Sequence, residues 1–295
     1  MNPYKVLQNE YSDLLHKIDS YRSSINRQKA ATFIKSLIPE YAHQSVQIEN
    51  NRLLLSEALH IAKLLDPYLQ TLNLSSLPSS NLPSLPLPPA HELLPSQPPS
   101  QVSELRNHLI ASHWVTTQAL QSPQINPLLS EPQTRHLTAL LTRDTPSEHL
   151  HSTSWGGRTT PGSYRKTPIR TRSNPLCIFP YHTEVPNLMH QFFTWRDTAN
   201  ADLHPLLLAC QMVVYFTSIH PFLDGNGPVR RVLMQDNLMR RGYFPVVMRG
   251  LGDGEYGGLL SDCQDGDGRG VEGFVGRVLW GELDAMRDCA LLGRG

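Results

Sequence analysis

A histidine, an aspartate and an asparagine flanked by glycines stand within eight residues of one another in His220-Pro221-Phe222-Leu223-Asp224-Gly225-Asn226-Gly227. An imidazole with an unperturbed pKa near ~6.5 accepts a proton at neutral pH, so His220 is a candidate general base. Asp224 offers the hard carboxylate oxygen that Mg²⁺ takes alongside phosphates and water. Gly225, Asn226 and Gly227 let successive backbone N–H groups turn inward as an anion-binding nest. Phe222, apolar between polar neighbours, reads as the anchor that holds the loop on the core. A base, a metal ligand and a phosphate cradle make up most of a nucleotide-handling site.

Elements on either side must position this loop. The apolar run Leu206 to Phe216 is long enough for a buried helix, and Val229 to Arg240 reads as another, so the segment is predicted to be helix–loop–helix. A helix starting near Pro228 would aim its positive dipole end at the nest. Alone, Asp-Gly-Asn-Gly is usually a turn, and a lone histidine at a helix end is usually a cap or a surface residue. Their combination with Phe222 and Arg231 favours chemistry.

The pattern His-x-Phe-x-Asp-Gly-Asn-Gly with Arg231 four residues on resembles the signature of the Fic-domain (Fido) family. Six fixed residues would coincide by chance in only about one in 10⁵ chains of this length. Gly162-x-Tyr164-Arg165, Val185-Pro186-Asn187-Leu188-Met189 and Arg241-Gly242-Tyr243-Phe244-Pro245 also resemble core segments of that family, so the likeness covers residues 100 to 285 or so. The resemblance implies an all-α fold, a Fic-type helical core carrying a small β-hairpin flap. It implies transfer of AMP from ATP to a Ser, Thr or Tyr hydroxyl of a target protein (AMPylation), with ATP and Mg²⁺ as cofactors. His220 would then be the base and Asp224 the metal ligand. Gly225, Asn226 and Gly227 would bind phosphate oxygens, Arg231 would hold the γ-phosphate, and Tyr256 would line the adenine pocket.

Two positions depart from the family pattern. Pro228 stands where the family has an arginine, which leaves the loop's fold intact but removes a preorganised cation. Arg230 is the neighbour expected to substitute for it. An asparagine expected near Cys263 is missing, which puts base recognition in question.

Far upstream, Ser45-Val46-Gln47-Ile48-Glu49-Asn50 resembles the family's inhibitory motif, in which the glutamate pairs with the second signature arginine, here Arg231. A carboxylate forked onto a guanidinium is a strong, directional contact. By this resemblance Ser45, Glu49 and Asn50 form a brake. Read without it, a Ser–Glu pair at this spacing is an ordinary solvated helix face.

Helical spacing of Leu7, Tyr11, Leu14, Leu15 and Ile18, and again of Ile48, Leu53, Leu54, Leu55, Ala58 and Leu59, predicts three helices in a regulatory segment over residues 1–71. Residues 72–100 turn to Ser, Leu and Pro, a density of proline that excludes helix and central strand and predicts a flexible insertion, with PxxP docking as a minor alternative. The catalytic core spans 101–290, with helix resuming at Ser103. Leu176-Cys177-Ile178-Phe179, after a loop rich in Gly, Thr, Ser and Arg, is the expected arm of the flap.

The chain has 295 residues, 39% of them hydrophobic, enough for one large core. Its formal net charge is zero, and Arg158, Arg165, Arg170 and Arg172 are scattered, so no nucleic-acid partner is expected. Cys177, Cys210, Cys263 and Cys289 show no paired spacing and read as reduced thiols. Asp265-Gly266-Asp267-Gly268 lacks the glutamate of a calcium loop. The apolar run at 205–216 is too short to span a bilayer and no signal sequence stands at Met1 to Tyr11, so no membrane partner and a cytoplasmic or nuclear location are expected. Oligomeric state is left open, a homodimer included. Three functions fit: an autoinhibited protein adenylyltransferase with removal of the modification as a second activity, a catalytically weakened fold serving as a nucleotide-binding or protein-docking module, and a transferase using another phosphate donor.

Overall fold

The computed structural model describes residues 2–121, 128–153, 159–169, 178–198, 203–249, 254–264 and 268–292. In chain order the helices are α1 (Pro3–Glu10), α2 (Ser12–Ser24), α3 (Arg27–Gln47), α4 (Leu55–Thr71), α5 (Ala90–Leu93), α6 (Pro99–Gln121), α7 (Glu131–Thr142), α8 (Pro146–Thr153), α9 (Val185–Thr198), α10 (Pro205–Ile219), α11 (Asn226–Arg240), α12 (Glu255–Gln264) and α13 (Gly268–Leu291). The expected all-α class stands. No strand occurs among the described residues, so the expected β-hairpin flap is not seen; Leu176 and Cys177 of its arm lie outside them. Arg158, Arg170, Arg172 and the Asp265–Asp267 stretch lie outside them too.

α6 and α10 are the buried heart of the molecule. α6 packs on α3, α7 and α11, and α10 packs on α9, α11 and α13. Apolar residues on every side of α6, from Val102 and Leu105 to Trp114 and Val115, are buried, as a helix enclosed by neighbours requires. Each such side chain contributes about 1.5–3 kcal/mol on leaving water.

Four helices, rather than three, precede the proline-rich segment. The first stretch breaks at Tyr11, whose amide caps α1 by donating to Leu7 O and Asn9 O. Leu54, Leu55 and Leu59, expected to face a core, are exposed instead, because α4 buries Ala58, Ile61, Ala62 and Leu65.

The flexible insertion expected over 72–100 needs correction. Residues Ser79–Ser84 form a 3-10 helix, Ala90–Leu93 form α5, and Leu82, Leu85 and Leu93 are buried. Proline removes N–H donors but leaves carbonyls, and side chains of the core satisfy them. Trp114 Nε1 donates to Leu77 O (3.0 Å), Arg106 Nη1 to Pro88 O (2.8 Å), and Arg143 Nη1 to Pro83 O (3.2 Å) and Leu85 O (2.5 Å). The segment is a strap pinned on α6 and α7, and α6 begins at Pro99 rather than Ser103.

Candidate active site

The predicted helix–loop–helix is α10, the loop 220–225 and α11. The second helix begins at Asn226, two residues before Pro228, and Gly225 caps it with a left-handed backbone, φ 80°. Glycine is required there twice over: the φ is strained for other residues, and a Cβ would come within 2.9 Å of the Thr142 methyl on α7. Pro228 sits in the first turn, where its missing N–H has no intrahelical acceptor to lose.

His220 ends α10 in a left-handed conformation, φ 48°, with its amide donating to Phe216 O at 3.0 Å. The ring of Phe179 covers it, centroid to centroid 4.6 Å. Burial first, then the positive charges of Arg230 and Arg165, push its pKa down to about 3. The imidazole is therefore neutral at physiological pH and open to a proton, though a weaker base than a solvated histidine.

Arg165 holds this corner. It is 2% exposed; its Nε donates to His220 O (2.8 Å), its Nη2 to Pro180 O (2.6 Å) and Ile219 O (3.4 Å), and its amide to Pro221 O (2.9 Å). One guanidinium thus ties the end of α10 to the segment that carries Phe179. In the sequence Arg165 stands out only as part of Gly162-x-Tyr164-Arg165, in a loop rich in Gly, Thr, Ser and Arg that gives it no other distinction.

Phe222 is fully buried against Tyr164 and Phe216, at ring distances of 5.6 and 6.3 Å. Asn226 differs from expectation. Its Oδ1 accepts from Phe222 N and its Nδ2 donates to Phe222 O, both at 2.9 Å, so its side chain clasps the loop and is not directed at a phosphate. Backbone amides of the first turn of α11, including Gly227, remain as the anion-facing donors.

Asp224 is exposed at the rim; its Oδ1 accepts from Gly225 N (2.7 Å) and its Oδ2 from Ser147 Oγ (2.8 Å). Arg230 is not a stand-in for the cation missing at Pro228. Its Nη1 donates to Thr217 Oγ1 (3.1 Å), and its guanidinium lies 5.6 Å from the Tyr256 ring centre. Tyr256, 2% exposed, lies equally beneath Arg231, at 5.6 Å, and meets Phe274 edge-on. Cys210 and Cys289 are buried free thiols, and Cys263 is buried too.

The upstream motif reaches the same place. Ser45 lies in the last turns of α3, Glu49 just beyond it, and Asn50 takes φ 68°, which asparagine tolerates better than most residues. Arg231 Nε donates to Ser45 Oγ (2.5 Å), and Nη2 to Ser45 O (2.7 Å) and Glu49 Oε1 (2.9 Å). Burial opposes the charge on Arg231, but Glu49 outweighs it and the guanidinium pKa rises. A Cβ built on Gly227 would collide with Oε1 of Glu49, so the carboxylate lies directly over the mouth of the nest.

A profile of the Fic/DOC family matches residues 129–238, the stretch that runs from α7 through the loop into α11. Over that stretch the chain resembles the Fic/DOC family. It is similar to the protein adenylyltransferase Fic of Nematostella vectensis, with 32% identity over 125 residues, 42% of this chain and 29% of that one. Against the protein adenylyltransferase Fic of Aedes aegypti it is 37% identical over 115 residues, 39% of this chain and 22% of the relative. The chain thus spans less than a third of the length of these curated relatives. Among solved structures, Fic-1 from C. elegans aligns with a TM-score of 0.67 at 16% identity, over 97% of this chain and 73% of that one. A Fic domain-containing signaling protein from Bacteroides thetaiotaomicron aligns with a TM-score of 0.65 at 18% identity, over 94% of both chains. At such identity the likeness is one of fold, and it extends through the helices on both sides of the matched domain.

Proposed function

We propose that this protein is a protein adenylyltransferase held in an inhibited state by Glu49. The observation that carries the reading is the Glu49–Arg231 pair laid across Gly227. In this reading ATP binds with its phosphates at the first-turn amides of α11 and its base near Tyr256. The donors fit: Arg231 Nη1, beside Gly227, is buried without a hydrogen-bond partner, the condition of a cationic group awaiting an anion. Mg²⁺ would be held by Asp224, the carboxylate exposed on the same loop, and would supply charge neutralisation to the phosphates. His220 takes the proton of the target hydroxyl as that oxygen attacks the α-phosphorus, and pyrophosphate leaves.

While Glu49 occupies Arg231, the arginine is withheld from the γ-phosphate and the nucleotide lacks the clamp that aligns it for in-line attack. The same carboxylate, close to the loop, is suited to orient water for the reverse hydrolysis. The names of the curated relatives support adenylyl transfer as the chemistry; the target and the residue modified are the protein's own.

Incubating the protein with ATP labelled at the α- or the γ-phosphate tests the reading. Glu49→Gly is expected to raise α-label incorporation on the order of 10- to 100-fold, the worth of one charged hydrogen bond at about 1.5–3 kcal/mol. Glu49→Gly combined with His220→Ala is the control and should be silent. Incorporation of γ-label instead would replace the reading with a kinase-type transfer. No incorporation by a folded, ATP-binding Glu49→Gly variant would favour the docking-module alternative, which Pro228 and the covered, weakly basic His220 support.

A further inference from the structure

Beside Asp224 and Gly225 lies a cavity of about 290 Å³, bounded by the end of α3, α6, α7, the start of α8 and Pro228 of α11. Its wall carries three carboxylates, Glu49, Glu104 and Asp224, and Pro228 adds no charge. Among the described residues no lysine or arginine lines it. His108 also forms part of the wall; it is 1% exposed, and neither of its ring nitrogens has a hydrogen-bond partner. A buried imidazole left unmatched costs free energy that a bound polar group would recover.

Glu49 is paired with Arg231 at 2.9 Å, while Glu104 accepts from the Asn51 amide and Asp224 from Ser147 and Gly225. Burial, reinforced by the charges of Glu49 and Asp224 and opposed by the Asn51 hydrogen bond and the nearby Arg231, pushes the Glu104 carboxyl up to about 7. The spacing of these carboxylates does not suit a single metal ion, since among the described residues no three His, Cys, Asp or Glu side chains are placed to hold one. A wider cation with several N–H donors meets such a wall better. A guanidinium is planar, carries five donors and stays charged at any working pH, whereas an ammonium is a point charge.

We propose that this cavity binds a guanidinium group, presented by a small molecule or by an arginine of a partner polypeptide, whose donors reach Glu49 and Glu104. Glu49 is then shared between the guest and Arg231, so an occupant loosens the Glu49–Arg231 pair; this regulatory consequence rests on the inhibited-transferase reading, while binding itself does not.

Calorimetric titration of the intact protein with methylguanidinium chloride tests the site without any need for transfer activity. Saturable binding in the millimolar range is expected, with none for urea, the neutral molecule of similar shape. Glu104→Gln, which keeps an oxygen for Asn51, should weaken binding tenfold or more. Pro228→Arg should abolish it by lodging a tethered guanidinium in the same space. Thermal melts of both variants establish that they are folded. A capped Gly-Arg-Gly peptide separates the two sources: affinity at least equal to methylguanidinium assigns the site to a polypeptide arginine, and exclusion of the peptide assigns it to a small molecule. Absence of saturable methylguanidinium binding, equal binding of urea, or undiminished affinity in both folded variants would overturn the proposal.

Discussion

Nε of Arg165 lies 2.8 Å from the carbonyl oxygen of His220, and the same guanidinium reaches Pro180 O in the segment that carries Phe179 across the His220 ring. The backbone of the proposed base and the residue that covers it are therefore positioned by one side chain.

Arg165→Lys should disconnect them. An ammonium cannot reproduce a fork spread over several carbonyls, and loss of buried charged hydrogen bonds costs about 1.5–3 kcal/mol each. A fall in melting temperature of several degrees is expected, together with a drop in transfer measured in the Glu49→Gly background. A variant with wild-type melting and transfer would show that the fork does not position His220.

His220→Ala should abolish transfer, a loss of at least 10²- to 10⁴-fold for a general base, while ATP affinity stays within a few fold. The nucleotide donors sit on α11 and are untouched by the change. Binding measured by fluorescence of a labelled nucleotide, set beside α-label incorporation, separates the two effects. Residual transfer near the parent rate would remove His220 from the base role.

Pro228→Arg restores a cation at the first turn of α11, where the Arg230 side chain is turned away to Thr217. In the Glu49→Gly background the transfer rate should rise on the order of 10²- to 10³-fold, the range of one preorganised donor. An unchanged or lower rate would mean that the site's chemistry does not use a cation there.

Glu282 gives a pH test unconnected to catalysis. It is fully buried, with Oε1 accepting from Phe244 N at 2.8 Å, and burial pushes its pKa up to about 8. In the unfolded chain it titrates near 4.5. The folded state holds the extra proton between these values, so its stabilising effect is complete below the lower one and is lost as pH rises through about 8. Wild-type melting temperature should decline from pH 6 to 9, by an amount corresponding to a few kcal/mol. Glu282→Gln keeps the acceptor without the charge and should flatten that decline; identical slopes in the two proteins would refute the assignment.

Much of the site was legible because its chemistry is local. His220, Asp224 and the glycines are neighbours in the chain, and the apolar runs around them have the period of buried helices. Ser45 and Glu49 were legible only through the motif they resemble, since nothing in a helix period says that it will meet Arg231. Arg165 and Phe179 were legible only as members of family-like segments and Ser147 not at all, because contacts between loops obey no spacing rule. The proline-rich strap was misread for a definite reason: propensity accounts for the donors that proline lacks, whereas order there comes from carbonyls captured by Arg106, Trp114 and Arg143. Asn226 was legible as a polar loop residue but not as the clasp on Phe222, because a side-chain amide serves a phosphate and a backbone equally well.

α3 carries Ser45 in its last turns, yet it is a core helix, with Phe33, Ile34, Leu37 and Ile38 buried. Peeling it away would expose roughly 6–12 kcal/mol of apolar contact, as much as the stability of a typical domain. The proposed brake therefore does not lift by detachment of its helix. The Glu49 side chain is 36% exposed, which leaves a rotamer change rather than helix detachment as the route of release in this proposal. Rotamer changes of exposed side chains take picoseconds to nanoseconds, against microseconds to milliseconds for helix displacement. A brake of this kind resets almost as soon as it opens and retains no memory of having been released, so sustained activity requires something that holds Glu49 aside for the whole of each turnover.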